Sequence, residues 1–446
     1  MTHYGDLTDE IFDGKSERAE STKPIDMKRF LSFLGTGNYQ PCQYRFGERM
    51  SPEVVYVQTA INLFAAPRCE EAVVFCTAGA KEKHGDGLVA EFARNGLPAP
   101  RLVDIPDGAS EEQLWSIFRI VRDIVGDGNE IVFDVTHSFR SLPVVMTVLL
   151  RYLAVAKGVS LGKCLYGAWE ARDKESNVAP VFDLTPFFAL DDWTHAILGF
   201  EQSGDSTELR RLAVDRLGPH CRTDDTARRL IAAVRKTALF ADYVRVANLG
   251  SEGGRDGIRA MCFRSEIASP LSEPGAADLI PELESVLRRL GGRFSDYGDA
   301  DVRNGFRAAR WAACHGLFPQ AYTLLQETAV SFVLESFPKS IPPGRTGISA
   351  REFVSAVLAR APDPGFDWSR DWRYPGEADA ARSLAELIPA DFAAAFARAT
   401  RCRNALNHAG TNRQESISST APEYTRDGFL EIAGAVEDSL GQFHRP

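Results

Sequence analysis

The sequence predicts an α/β domain followed by an all-α region, on three observations. Between about residues 28 and 204, short β-rich runs alternate with helically spaced segments. This is the pattern of a mostly parallel, Rossmann-like sheet with helices on both faces. From 205 onward β-rich runs nearly vanish and apolar residues recur at helical spacing. At 446 residues the chain has room for two or three domains. The expected division is a flexible, polar, acidic tail at 1–26, the α/β domain at 27–204 and the helical region at 205–446, one all-α domain or two.

Within the first domain, Arg29–Leu34 reads as a strand that ends in Gly35-Thr36-Gly37-Asn38-Tyr39. Pro52–Phe64 has helical apolar spacing, and Glu71–Cys76 is a second strand, followed by Thr77-Ala78-Gly79. Asp86–Asn95 is helical and stops at Gly96; Arg101–Ile105 is a short strand. Ser110–Val125 starts with Ser110 and Gln113 in capping-box spacing. Glu130–Val135 is a strand, Pro143–Ala156 a helix apolar on most sides, and Val159–Tyr166 a further strand. The helical region is expected to hold helices over Thr207–Leu217, Thr223–Val246, Ala276–Leu290, Asp301–His315, Pro319–Phe337, Ser349–Leu358, Ala378–Leu387, Asp391–Asn407 and Thr425–Phe443.

A net charge of −10 argues against a protein that coats nucleic acid, yet leaves room for a local basic cleft. The eight cysteines include no CxxC pair, so no zinc or other metal site is expected. Scattered thiols, a polar opening segment and no long apolar run predict a cytoplasmic protein with no membrane span.

If the strands are parallel, the loops at Gly35–Tyr39, Thr77–Gly79, Asp134–Arg140 and Tyr166–Gly167 share one sheet edge. Ligands of α/β folds bind at that edge. Amide-rich turns there suit phosphate-like anions. Thr36 and Thr136 add hydroxyls, Arg140 a forked cation, and Tyr39 a face for base stacking. Gly35-Thr36-Gly37 departs from the dinucleotide fingerprint, because Gln40 stands where the third glycine belongs. Each loop has a plainer reading as a turn or a capped helix start.

Arg403 and His408 stand five apart at the end of a helix that Gly410 terminates. Arg398, Arg401, Arg403 and Arg413 lie in a stretch without Asp or Glu, which reads as a basic patch. A histidine can move the 2′-OH proton of RNA, and an arginine can hold the scissile phosphate. Chance also supplies such pairs: Arg310–His315 is a second, and its apolar setting reads as packing.

Together, Phe33–Tyr39 (FLGTGNY), Asp134–Pro143 (DVTHSFRSLP), Tyr166–Glu170 (YGAWE), Val181–Phe187 (VFDLTPF) and Arg403–His408 (RNALNH) resemble the DxTH-type CRISPR-associated proteins. So does Trp311–Glu327. These proteins join a CARF sensor domain to a C-terminal HEPN ribonuclease domain, and the resemblance implies a CARF domain at 27–204 and a HEPN core at about 300–446 here. The resemblance implies a homodimer, or a larger assembly, that binds a cyclic oligoadenylate, cyclic tetra-adenylate as the first expectation. It implies ring contacts from Gly35, Thr36, Gly37, Asn38, Tyr39, Thr77, Asp134, Thr136, His137 and Arg140. It implies that Arg403, Asn404 and His408 of both subunits cut single-stranded RNA without metal, in type III CRISPR defence. The chain departs from the motif in Ser138, where the family commonly has glycine. Two alternatives stay open: a ring nuclease acting through His137, Thr36 and Thr136, and a CARF transcription regulator.

Overall fold

A computed structural model describes residues 27–65, 68–137, 142–251, 254, 256–272, 283–342, 348–407 and 422–443. The chain forms an N-terminal α/β unit and a C-terminal helical one, so the predicted fold class is the observed one. The compact units are Met1–Phe188 and Ala189–Pro446, a division earlier than the change of texture placed at 204. It falls inside the helix Thr185–Ser203, which the sequence reading did not include.

The first unit holds one sheet of strands β1 (Lys28–Leu34), β2 (Gln43–Phe46), β3 (Arg49–Met50), β4 (Glu71–Cys76), β5 (Arg101–Asp104), β6 (Glu130–Asp134), β7 (Ser160–Gly167) and β8 (Val178–Asp183), in the order β3-β2-β8-β7-β6-β1-β4-β5. Five neighbours, β5-β4-β1-β6-β7, run parallel. Beyond them β8 is antiparallel to β7, β2 is parallel to β8, and β3 closes a hairpin with β2. After β1 the chain forms the β2–β3 hairpin at the far edge, then places β4 on one side of β1 and later β6 on the other. The reversal of strand order therefore lies between β1 and β6, the kind of point at which open α/β sheets bind ligands beyond the strands' carboxyl ends.

Four helices cover the sheet: α1 (Val57–Phe64), α2 (Ala78–Arg94), α3 (Glu111–Ile124) and α4 (Leu142–Lys157). Strand side chains alternate between faces. Phe30, Leu34, Val74 and Val132 pack with Val57, Ile61, Leu88 and Phe92 on one face. Leu31, Phe33, Phe75 and Phe133 pack with Ile117, Val121, Met146 and Leu149 on the other. Two-sided burial is why these central strands read as near-continuous apolar runs.

Three local features differ from the sequence reading. Helix α2 begins at Ala78, not Asp86, with the Thr77 hydroxyl accepting from the Ala80 amide at 3.4 Å. Gly79, Gly85 and Gly87 disguise its first turns as loop. At α3, Ser110 caps as expected, but the Gln113 side chain reaches back to the Ala109 amide, one residue before the box position. Strands β2, β3 and β8 were not foreseen as strands.

In the second unit one core joins the helices α5 (Thr185–Ser203, from Ala189 on), α6 (Thr207–Leu212), α7 (Asp225–Arg245), α8 (Ser269–Ser272), α9 (Leu283–Gly292), α10 (Asn304–Cys314), α11 (Phe318–Ser336), α12 (Ala350–Arg360), α13 (Ala378–Leu387), α14 (Ala390–Asn407) and α15 (Arg426–Asp438). The first part of the expected helix Ala276–Leu290, up to residue 282, lies outside the described residues. Helix α6 runs on through a π turn at Ala213–Leu217, and α15 ends in a 3-10 turn at Ser439–Gln442. A Cβ on Gly305 would overlap the Thr328 hydroxyl, so this glycine lets α10 lie close against α11. None of the described helices is long and apolar enough to cross a membrane.

The end of β7 is equally tight. A Cβ on Gly167 would overlap the Cγ2 of buried Val57 and stand 3.2 Å from the Tyr44 ring. Gly167→Ala should lower stability by about 1–3 kcal/mol, as overpacking does. Urea unfolding checks this; an unchanged midpoint would show that α1 yields freely.

Candidate functional site

Strands β1, β4, β6 and β7 are mutually parallel, so their terminal loops gather at one edge. The buried carboxylate of Asp134 sits at the end of β6. Its Oδ2 accepts from the Ser32 hydroxyl of β1 at 2.8 Å, and its Oδ1 accepts from the Thr136 amide at 2.9 Å. The Thr136 hydroxyl accepts from the Gly167 amide at 2.8 Å, tying in β7. Burial raises the Asp134 pKa, against the lowering effect of these hydrogen bonds. So Asp134 and Thr136 are structural connectors of the strand ends, whatever else they touch.

Gly35, Thr36, Gly37 and Asn38 follow β1, with the last three exposed. The Gly35 amide donates to the Tyr39 hydroxyl at 2.8 Å. The Tyr39 ring is half-buried and meets the rings of His84 and His137 edge-on, each at 4.7 Å, and that of Tyr56 at 5.2 Å. Tyr39 is thus packed into an aromatic cluster, not presented as the open stacking face the sequence suggested. Burial pushes its phenol up to about 12, with the hydrogen bond to Gly35 opposing. His137 is pushed down to about 4, first by burial. It is an uncharged imidazole near neutral pH. Tyr166 donates to Glu170 at 3.2 Å. Thr77 is buried and serves as the cap of α2. Arg140 lies outside the described residues.

Sequence reading missed the contribution of α2. Lys83 Nζ donates to the carbonyls of Thr36 at 2.9 Å and Gly37 at 3.4 Å, and to Asn38 Oδ1 at 2.8 Å. His84 Nε2 lies 2.8 Å from the Gly37 carbonyl. Tyr56 is placed by Glu91, a buried carboxylate that accepts from the amides of Val55 and Tyr56 at 2.7 and 3.0 Å, and from the Thr59 hydroxyl at 2.8 Å. The basic run Lys81-Glu82-Lys83-His84 was the only available signal.

In the helical unit, α14 buries Phe392, Phe396, Ala399, Cys402 and Ala405. Arg403 and Asn404 are half-buried beside that face, near the helix end. Arg403 Nε is buried and has no hydrogen-bond partner among the described residues. His408 and Arg413 lie outside the described residues. The expected basic patch is reduced: Arg398 pairs with Glu431 at 2.7 Å and with Glu423 at 3.5 Å, both supplied from beyond Gln414. The second pair is structural, as its apolar setting suggested. Arg310 binds Glu437 at 2.7 Å, and the His315 ring lies 4.0 Å from that of Trp311. His315 Nδ1 and Nε2 face the carbonyls of Trp311 and Glu201. Among the described residues no group of three His, Cys, Asp or Glu side chains is arranged to hold a metal ion.

The shifted groups predict opposite pH effects. The pKa of His137 is depressed by folding, so its contribution is present above its ordinary value of 6.5 and is lost as pH falls toward 4. His137→Gln should therefore flatten the loss of thermal stability across that window. The Asp134 pKa is raised, so its carboxyl favours the fold at low pH and opposes it once ionised. Asp134→Asn should raise the unfolding midpoint at neutral pH, an effect thermal melts would read directly.

No family model matches the chain. Over 134 residues it is 31% identical to CRISPR-associated protein MJ1674 of Methanocaldococcus jannaschii. The match covers 29% of this chain and 21% of that protein, about a fifth of the relative's length. The similarity supports a relationship to CRISPR-associated proteins.

Proposed function

We propose that the chain is a CRISPR-defence endoribonuclease switched on by a cyclic oligoadenylate. The observation that carries this reading is the convergence of Gly35–Tyr39 and Asp134–His137 at the carboxyl ends of β1 and β6, where strand order reverses. An edge that carries amides, hydroxyls and aromatic rings there suits a nucleotide ligand. The similarity to a CRISPR-associated protein favours a nucleotide used in that defence.

A second chain completes the proposal. Helix α4 follows the Thr136–His137 loop and leaves Val144, Val148, Tyr152 and Val155 exposed. Their spacing puts them on one helix face. An apolar stripe that meets its own copy buries itself and sets two strand-end sites about a two-fold axis. A cyclic oligoadenylate of even symmetry matches such a pair.

The cutting group is Arg403, Asn404 and His408 of both chains. The 2′-oxygen of the substrate attacks phosphorus while the P–O5′ bond breaks. His408 of one chain accepts the 2′-OH proton and a second proton donor supplies the 5′-oxygen, leaving a 2′,3′-cyclic phosphate and a 5′-hydroxyl. Arg403 holds the non-bridging oxygens as charge builds. Arg403 is half-buried near the end of α14, a placement that supports this role. The ring-cleaving alternative would lean on His137, whose neutral imidazole is a weak proton acceptor at that depressed pKa.

A fluorescent single-stranded RNA assay tests the proposal. Wild type should cut only when a cyclic oligoadenylate is present, and should continue in EDTA. Arg403→Ala and His408→Ala should each reduce cutting by about a hundredfold or more. Cutting without activator, or undiminished cutting by either variant, would refute the reading. Loss of the ring itself over hours with His408→Ala would favour the ring nuclease, and a shift of duplex DNA in a gel the regulator.

A further inference from the structure

Among the described residues Lys83 is a cation without a counter-charge. Two residues earlier on α2, Lys81 forms an ion pair with Asp104 at 2.7 Å. Lys83 is held only by the neutral oxygens of Thr36, Gly37 and Asn38, and among the described residues it pairs with no carboxylate. Carbonyl dipoles attract an ammonium but do not neutralise it, so Lys83 keeps its positive charge beside the loop after β1. Two other groups of the same loop are satisfied, one by α2 and one from within the loop. His84 takes up the Gly37 carbonyl, and the Tyr39 hydroxyl stands at 2.8 Å on the Gly35 amide, the one an entering anion would use.

We infer that Lys83 pairs with a phosphate of the bound ligand, and that Tyr39 closes the Gly35–Tyr39 loop by occupying the phosphate's place on the Gly35 amide. A phosphate oxygen that takes this amide displaces the Tyr39 hydroxyl. Lys83 then exchanges carbonyl oxygens for an anionic one, a stronger, charge-assisted contact. Freed from Gly35, the Tyr39 ring can leave the edges of His84 and His137 and offer its face to a base. The stacking role that the packed ring denies in the closed arrangement becomes available in the open one. This inference rests on the nucleotide-sensor reading above and adds two residue roles to it.

The test is calorimetric titration of the full chain with cyclic tetra-adenylate and rings of other sizes, at low and high salt. Lys83 is exposed, so its variants should fold; unfolding midpoints verify this. Lys83→Ala should weaken binding by about tenfold and reduce its dependence on salt. Lys83→Arg should restore most of both. Tyr39→Phe keeps the ring, removes the competing hydroxyl and should bind more tightly than wild type. If wild type binds a ring and Lys83→Ala binds it equally, the inference is overturned while the sensor reading stands. Weaker binding by Tyr39→Phe would overturn the closing role. If wild type binds no ring of any size, the sensor reading fails and the inference falls with it.

Discussion

The buried carboxylate of Asp134 is the interaction on which the α/β unit turns. It lies where strand order reverses, and it joins β6 to β1 through Ser32 and to its own loop through the Thr136 amide. Thr136 passes the connection to β7 through Gly167. Three neighbouring strand ends are therefore held by one polar relay inside an apolar sheet. Burying a carboxylate is costly unless hydrogen bonds compensate it. The raised pKa of Asp134 shows that compensation is incomplete. A sheet selected for stability alone would place an apolar residue there. The cost fits a site in which the strand ends must be fixed while their loops remain polar.

On that fixed edge the loop after β1 is shaped from the side, by α1 and α2. Glu91 of α2 grips the start of α1 and sets Tyr56 against Tyr39 and His84. Lys83 and His84 hold the loop carbonyls. Helix α2 thus serves two purposes: its apolar face packs on the sheet, and its polar face governs the loop. In the helical unit a similar economy applies to α14, whose apolar face fixes the helix while Arg403 and Asn404 stand beside it.

Much of this was legible in the sequence, for physical reasons. Strands β1, β4 and β6 are buried on both faces and so appear as unbroken apolar runs. Their terminal loops announce themselves by glycine, threonine and histidine. Strands β2, β3 and β8 carry no such signal. They are short or polar, Pro180 interrupts β8, and β2 is held by pairing Gln43 with Val178 far along the chain. The start of α2 was obscured by glycines whose local preference tertiary packing overrides. The site was legible where it is loop and illegible where it is helix. Lys83, His84, Tyr56 and Glu91 belong to it only because helices fold back over the sheet edge. The basic patch was overread for the same reason, since Glu423 and Glu431 reach Arg398 from later in the chain. Likewise Tyr39 looked open in sequence and is packed in structure.

The most direct measurement is a titration of the full chain with cyclic tetra-adenylate in which ring binding and RNA cutting are followed in the same sample. The account predicts that cutting rises with occupancy and saturates at one ring per two chains. Cutting that is independent of the ring, or saturation at one ring per single chain, would contradict it.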